Sequence, residues 1–168
     1  MDYGHFQYEG GYKDPVVRHV GFWGTPVYEF TLDAVNPLTF IQADGVAVQP
    51  DRHFFTDWGS IPKAVQLIPG FDAHDWLAFL FHDSGYQNAG LYFKAPIATG
   101  FEFVAMTRLE VDDWMLNGIY AQGATERRER RAHFAGPIIY RAVRMFAWAP
   151  WDRYRRTEEI KGKTKGND

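Results

Sequence analysis

The chain has 168 residues, a formal net charge of −3 and a pI near 6.1, so its global charge gives no reason to bind nucleic acid. This length suits one domain rather than two. Because the sequence contains no cysteine, disulfide frameworks, thiolate metal sites and cysteine nucleophiles are excluded.

The two ends differ in composition from the middle of the chain. Residues 1–14 are rich in Gly and Tyr and predict a flexible arm, whereas residues 152–168 are rich in charge and predict a disordered tail. Residues 15–151 between them predict a single globular domain. Neither a signal peptide nor a run approaching the ~20 apolar residues of a membrane span is predicted.

Short β-branched and aromatic runs at residues 16–20, 27–32, 38–41 and 46–48 predict strands. Asp44-Gly45 is a dipeptide that favours a tight hairpin turn, so we predict a small antiparallel sheet. From Phe54 to Pro62 the chain is expected to leave this sheet as a structured loop.

Helical periodicity appears at residues 72–86, at 103–122 and again from Thr125, with Gly136-Pro137 expected to kink or split the third helix. Residues 88–100 predict a long loop. The predicted fold class is therefore α+β, with a small N-terminal antiparallel sheet packed on three main helices. We expect the first two helices to be antiparallel and to carry a polar site.

A histidine and a carboxylate fall on the sides of these two helices that are expected to face each other. At 100° per residue, His82 and Tyr86 share one face of the first helix. Asp112 lies inside the apolar stripe of the second helix, whereas Asp113 falls on its flank. Because a carboxylate in an apolar stripe needs donors or a cation, we predict a His82–Asp112 pair.

Such a pair can carry acid–base chemistry. If one imidazole N–H is donated to Asp112, the other ring nitrogen can accept a proton from water near neutral pH. Tyr86 or Tyr120 is expected to donate its hydroxyl to the same carboxylate. Asp83 lies a quarter turn from His82 and is predicted to bind a hard cation that polarises a carbonyl or phosphoryl oxygen.

The motif His82-Asp83-x-x-Tyr86, followed by an acid on an antiparallel helix, resembles the secreted phospholipase A family, including its bacterial and parvoviral capsid members. The resemblance implies that His82 activates water and that Asp83 helps to bind Ca²⁺. It also implies that Asp112 orients His82 with the support of Tyr86. The glycine-rich calcium loop of that family has only a poor counterpart at residues 67–70.

A second resemblance covers nearly the whole of residues 54–148 and rests on three motifs in order. Thr56-Asp57-x-x-Ser60-x-Pro62, the His82 motif and Arg108-x-x-x-Asp112 resemble a phage-associated domain family of unknown function. This implies a tailed-phage or prophage origin, in the virion or the host cytoplasm. Asp57 is a candidate metal ligand or a partner for Arg108, although the first motif also fits turn scaffolding.

Other interpretations stay open. His82 and Asp112 also suit a buried structural pair that ties two helices together. A metal-dependent phosphohydrolase would instead use His53, His82, Asp83 and Asp112. A non-catalytic virion or assembly protein would bind itself or other virion proteins, and a capsid-borne lipase would also meet a phospholipid membrane surface. The arginine run at residues 127–131 suits a solvated helix face or a phosphate-binding strip.

Overall fold

The computed structural model describes residues 3–7, 16–20, 26–33, 35, 37–56 and 77–165. The strands of this part are β1 (His5–Gln7), β2 (Val16–Val20), β3 (Pro26–Thr31), β4 (Thr39–Ile41), β5 (Ala47–Gln49), β6 (His53–Thr56), β7 (Gly90–Lys94) and β8 (Glu102–Ala105). They form two antiparallel sheets, one of five strands in the order β1-β4-β5-β7-β8 and one of three in the order β2-β3-β6.

The helices of the same part are α1 (Ala78–Asn88), α2 (Arg108–Thr125), α3 (Glu129–Phe146) and α4 (Trp148–Lys165). Together with the two sheets they make the α+β fold that the sequence predicts. None of these helices has both the length and the apolarity that crossing a bilayer requires.

The turn between β4 and β5 is the predicted Asp44-Gly45 hairpin. Gly45 has a φ of 84°, a left-handed conformation that glycine adopts without a steric penalty. Its N–H donates to the carbonyl of Gln42, and the Asp44 carboxylate accepts from the N–H of Val46. The chain therefore reverses here, as predicted, and brings Phe40 opposite Val48 in the sheet.

Two strands, β6 and β7, lie where the sequence predicts a loop. The chain does not leave the sheet at Phe54, because β6 pairs with β3 and buries that side chain against Phe30. The expected loop at residues 88–100 contains β7, which lies between β5 and β8 and buries Leu91. These strands are fixed by partners distant in sequence, which local patterning does not reveal.

The second predicted helix also begins later than expected. Residues from Phe103 to Ala105 belong to β8, and α2 starts only after Thr107. The Thr107 hydroxyl accepts from the N–H of Glu110, while the Glu110 carboxylate accepts from the N–H of Thr107. This reciprocal capping box fixes the helix start five residues beyond the predicted one.

Both ends of the chain contain ordered elements where an arm and a tail were expected. Within residues 1–14, β1 pairs with β4, because Phe6 is buried with its ring 4.7 Å from that of Phe40. Within residues 152–168, α4 continues to Lys165. Contacts of Trp151 and Arg155 with α1 give this helix a tertiary partner that composition does not predict.

α3 differs from its prediction in two respects. It begins at Glu129 rather than just after Thr125, whose hydroxyl donates back to the carbonyl of Ala121 within α2. It also runs unbroken through Pro137 to Phe146, so the predicted split does not occur.

α1 lies at the centre of the fold and contacts β6, β7, α2 and α4. Residues from Ala78 to His82 and from Ser84 to Tyr86 are buried, so the helix is enclosed on most of its circumference. This explains why its sequence has no clear polar face. The predicted start near residue 72 lies outside the described residues.

α1 and α2 approach each other closely and run antiparallel. The N–H of Leu77 donates to the side chain of Gln122, and Ala78 lies against Gly118. At the other end of α1, Gly85 lies against Val111. The lack of a side chain at Gly85 therefore lets the two helices meet beside the polar site.

Replacing Gly85 by alanine should destabilise the protein. The added Cβ would lie 2.8 Å from a γ-methyl of Val111, which is buried and β-branched and therefore cannot easily move away. Overpacking of this kind costs about 1–3 kcal/mol and should exceed the gain in helix propensity. Urea unfolding of G85A, V111A and the double variant measures the coupling, and purely additive free energies would contradict the clash.

Candidate functional site

The centre of the site is the predicted pair of His82 on α1 and Asp112 on α2. The Nε2 atom of His82 lies 3.0 Å from Oδ1 of Asp112. The Asp112 side chain is fully buried, and that of His82 is 7% exposed. Asp113, which was predicted to lie on the flank of the helix, is exposed and accepts a hydrogen bond from the Tyr140 hydroxyl.

Two further side chains complete the surroundings of Asp112. The hydroxyl of Tyr86 donates to Oδ1 over 2.6 Å, and Nη1 of Arg144 on α3 donates to Oδ2 over 2.8 Å. Both carboxylate oxygens are therefore hydrogen-bonded, and a cation compensates the buried negative charge. Three helices converge on this one carboxylate.

The charges of the network shift the pKa values of its members. Burial alone would raise the pKa of Asp112, but its hydrogen bonds and the neighbouring His82 lower it overall. Burial alone would lower the pKa of His82, yet Asp112 and Asp83 together raise it. Burial and the carboxylate of Asp112 raise the pKa of Tyr86, so its hydroxyl stays protonated and acts as a donor.

The opposite edge of the His82 ring faces a second acid. Nδ1 is buried and has no hydrogen-bond partner among the residues that the structure describes. It lies 3.6 Å from Oδ1 of Asp83, just beyond direct hydrogen-bond distance. The other oxygen of Asp83 accepts from the hydroxyl of Thr56 at the end of β6.

Additional arginines surround the network. Nη2 of Arg108 donates to the carbonyl of Arg144 over 3.4 Å, which links the start of α2 to the end of α3. Arg155 of α4 donates to the carbonyls of Tyr86 and Gln87 at the end of α1. The rings of Tyr86 and Trp151 meet edge to face at 5.0 Å.

A large groove lies away from this network. It has a volume of about 990 Å³ and lies over the outer surface of the five-stranded sheet. Gln7, Thr39, Ala47, Gln49 and Lys94 are among its lining residues, and no member of the His82–Asp112 network lines it.

The structure brings together most, but not all, of the predicted site residues. His82, Asp83, Tyr86 and Asp112 are adjacent, whereas Asp57 lies outside the described residues. Tyr120 stacks on His133 instead of contributing to the network. The catalytic role assigned to these residues remains a prediction.

The described residues do not assemble the ligands of a metal centre. Across this part of the chain, no group of three or more His, Asp or Glu side chains is placed to hold a metal ion. His53, which the phosphohydrolase interpretation requires, pairs with Glu29 on the three-stranded sheet.

Arg144 belongs to the network but was not predicted from the sequence. Its helix was predicted, and a buried carboxylate was known to need a donor or a cation. Arg144 also directly follows the buried Val143, a position at the edge of the inner face of α3. Arg131 and Arg141 border the buried Ala132 and Ala142 in the same way, so position on the helix alone does not distinguish Arg144 from them.

The raised pKa of His82 has a definite consequence for stability. Protonated His82 stabilises the fold below about pH 6.5, the pKa of an unfolded chain, and this contribution is lost as the pH rises through the folded-state pKa. The lowered pKa of Asp112 gives the opposite dependence of stability on pH. Its contribution is present above about pH 3.9 and is lost as the pH falls through the folded-state value.

We therefore expect the difference in unfolding free energy between wild type and His82→Gln to shrink as the pH rises from about 6 to about 9. Urea unfolding at a series of pH values measures this difference. His5→Gln, at an exposed histidine of β1, is the control variant measured over the same pH range. A His82→Gln difference that stays constant over this range would contradict the raised pKa.

Comparisons of the chain with protein-family models, with curated proteins and with solved structures return no match.

Proposed function

We propose that the protein is an ester hydrolase of phage or prophage origin, acting in the virion or the host cytoplasm on the acyl esters of phospholipids during genome delivery or lysis. The observation that carries the proposal is the orientation of His82. Asp112 and Tyr86 hold the ring from its Nε2 side, while the buried Nδ1 has no hydrogen-bond partner in the described part of the chain. This arrangement supports the proposal of a general base oriented by an acid.

In the proposed reaction, the Nε2–H group of neutral His82 donates a hydrogen bond to the Asp112 carboxylate, and the Nδ1 lone pair meets a water that enters the buried site. Nδ1 removes a proton from the water as its oxygen forms a bond to the ester carbonyl carbon. When the tetrahedral intermediate collapses, the C–O bond to the alcohol breaks and the imidazolium returns the proton to this leaving group. The products are a fatty acid and a lysophospholipid.

The pH dependence of this reaction follows from the raised pKa of His82. The ring acts as a base only after it loses its second proton, so the rate should increase as the pH rises through the folded-state pKa. The nearby carboxylates of Asp83 and Asp112 stabilise the imidazolium that forms during proton transfer.

Asp83 is the one residue that the proposal assigns to calcium binding. Its carboxylate lies next to Nδ1, and the phospholipase resemblance implies that Asp83 helps to bind calcium. Asp83 already accepts from Thr56, and the described residues supply no group of three ligands around it. The proton transfers of the proposed reaction use only His82, which Asp112 orients.

The test is release of fatty acid from mixed phospholipid vesicles, with calcium in one arm and EDTA in the other. Wild type should release fatty acid in proportion to protein and time, and His82→Gln should not exceed the blank. Dependence on calcium would assign an ion to the site. Equal, background-level release by both proteins in both arms would overturn the hydrolase proposal.

A non-catalytic virion or assembly role is the second candidate, and the ion pair of Asp112 with Arg144 favours it. A carboxylate on one helix with both oxygens satisfied by donors from two other helices is also what a purely structural network would need. This alternative predicts the chain at fixed copy number in purified particles, assembled through itself or other virion proteins, with no hydrolysis.

A further inference from the structure

The outward side of α3 carries large apolar residues beside its charged ones. Its buried side consists mostly of small residues, namely Ala132, Ala135, Gly136, Ile139, Ala142 and Val143. Phe134, Ile138 and Met145 are instead 64%, 38% and 60% exposed. Large apolar residues usually cover the core, so several of them exposed on one side of a helix indicate a binding surface.

These exposed residues form one continuous strip. At 100° per residue, Phe134, Ile138 and Met145 lie within about 40° of one another along ~16 Å of helix. Phe146, the last residue of α3, points about 100° away from Met145 and is not part of this strip. We call Phe134, Ile138 and Met145 the α3 outer surface.

The charge beside the α3 outer surface is positive. Arg130 and Arg141 are exposed next to the strip, and neither forms an ion pair with another described residue. α3 carries four arginines but only one acidic residue, Glu129, which lies on a different side of the helix. The binding partner should therefore combine an apolar layer with negative charge.

We infer that the α3 outer surface binds the surface of an anionic phospholipid bilayer. An amphipathic helix with aromatic and aliphatic residues bordered by arginines lies in the plane of such an interface. The exposed aromatic ring of Phe134 suits the boundary between head groups and acyl chains. A second copy of the chain fits less well, because antiparallel pairing of two such helices would bring their arginines together.

Binding can be measured without hydrolysis, so the inference can fail or succeed independently of the hydrolase proposal. The full chain is sedimented with sucrose-loaded vesicles of ether-linked phosphatidylcholine, with or without ether-linked phosphatidylglycerol. These lipids have no acyl ester to cleave. Binding should require phosphatidylglycerol and should weaken as salt is raised, because the attraction between surface charges is screened.

The double variant Phe134→Ser/Met145→Ser should bind at least about tenfold more weakly, because it removes apolar area from the interface. Its matched control is Ile97→Ser/Val35→Ser, which removes two aliphatic side chains that are 96% and 83% exposed but lie elsewhere. This control should bind like wild type. Arg130→Gln/Arg141→Gln should bind the phosphatidylglycerol vesicles more weakly than wild type and with a smaller dependence on salt.

Because all the substituted side chains are exposed, thermal unfolding should be little changed and a loss of binding would not reflect misfolding. Light scattering measures the oligomeric state and so shows whether a second copy of the chain occupies the α3 outer surface instead of a bilayer. The inference would be overturned if wild type did not sediment with either vesicle, or if it were a dimer that Phe134→Ser/Met145→Ser converts to a monomer. Equal loss of binding in the Ile97→Ser/Val35→Ser control would overturn it as well.

Discussion

Replacing His82 by glutamine is expected to slow ester hydrolysis by about 10²- to 10⁴-fold, the range for removal of a general base. Glutamine is close to histidine in size, and its amide N–H can still donate to Asp112. The variant therefore keeps the hydrogen bond that ties α1 to α2 but loses the nitrogen that accepts a proton from water. The initial rate of fatty acid release, measured with variant and wild type at equal concentration, tests this expectation.

The matched control for this loss is His133→Gln. His133 is an exposed histidine whose ring stacks on Tyr120, outside the Asp112 network. Its replacement should leave the rate within about a factor of two, because it removes neither the base nor its orienting acid. A His82→Gln rate equal to that of wild type would mean that any hydrolysis arises elsewhere.

Replacing Asp112 by alanine should lower the free energy of unfolding by about 3–5 kcal/mol, the usual cost of removing one partner from a buried ion pair. The change leaves Tyr86 and His82 without their shared acceptor and Arg144 without its counterion. The side chain of Arg144 is 31% exposed and keeps some solvation, so we expect the lower end of this range. Urea unfolding at pH 7 measures the change.

Asp113→Ala is the control for this effect because it removes the next carboxylate along the chain. Asp113 is exposed and accepts one hydrogen bond, from Tyr140, so its loss should cost less than about 1 kcal/mol. If the two variants were destabilised equally, Asp112 would not be the point at which the three helices are joined.

Helix periodicity was sufficient to predict the centre of the site. His82 and Tyr86 are four residues apart and therefore point in the same direction from α1. Asp112 interrupts an apolar stripe and Asp113 does not, which separates the buried acid from the solvated one. These relations lie within single helices, where sequence spacing translates directly into geometry.

The parts that could not be predicted depend on contacts between distant segments. Arg144 reaches Asp112 only because α3 packs on α2, and Thr56 reaches Asp83 only because β6 continues the sheet. β7 was missed for the same reason, since its partner β5 precedes it by more than forty residues. Local patterning records none of these pairings.

The two hydrogen bonds from Arg155 to the end of α1 give the C-terminal segment an influence on chemistry far from it in sequence. The last carbonyls of a helix have no hydrogen-bond partners within the helix, and here the guanidinium of Arg155 on α4 donates to two of them. Release of that segment by a protease, or its capture by another protein, would uncap the helix that carries His82. The proposed base would then lose rigidity without any change to its own residues.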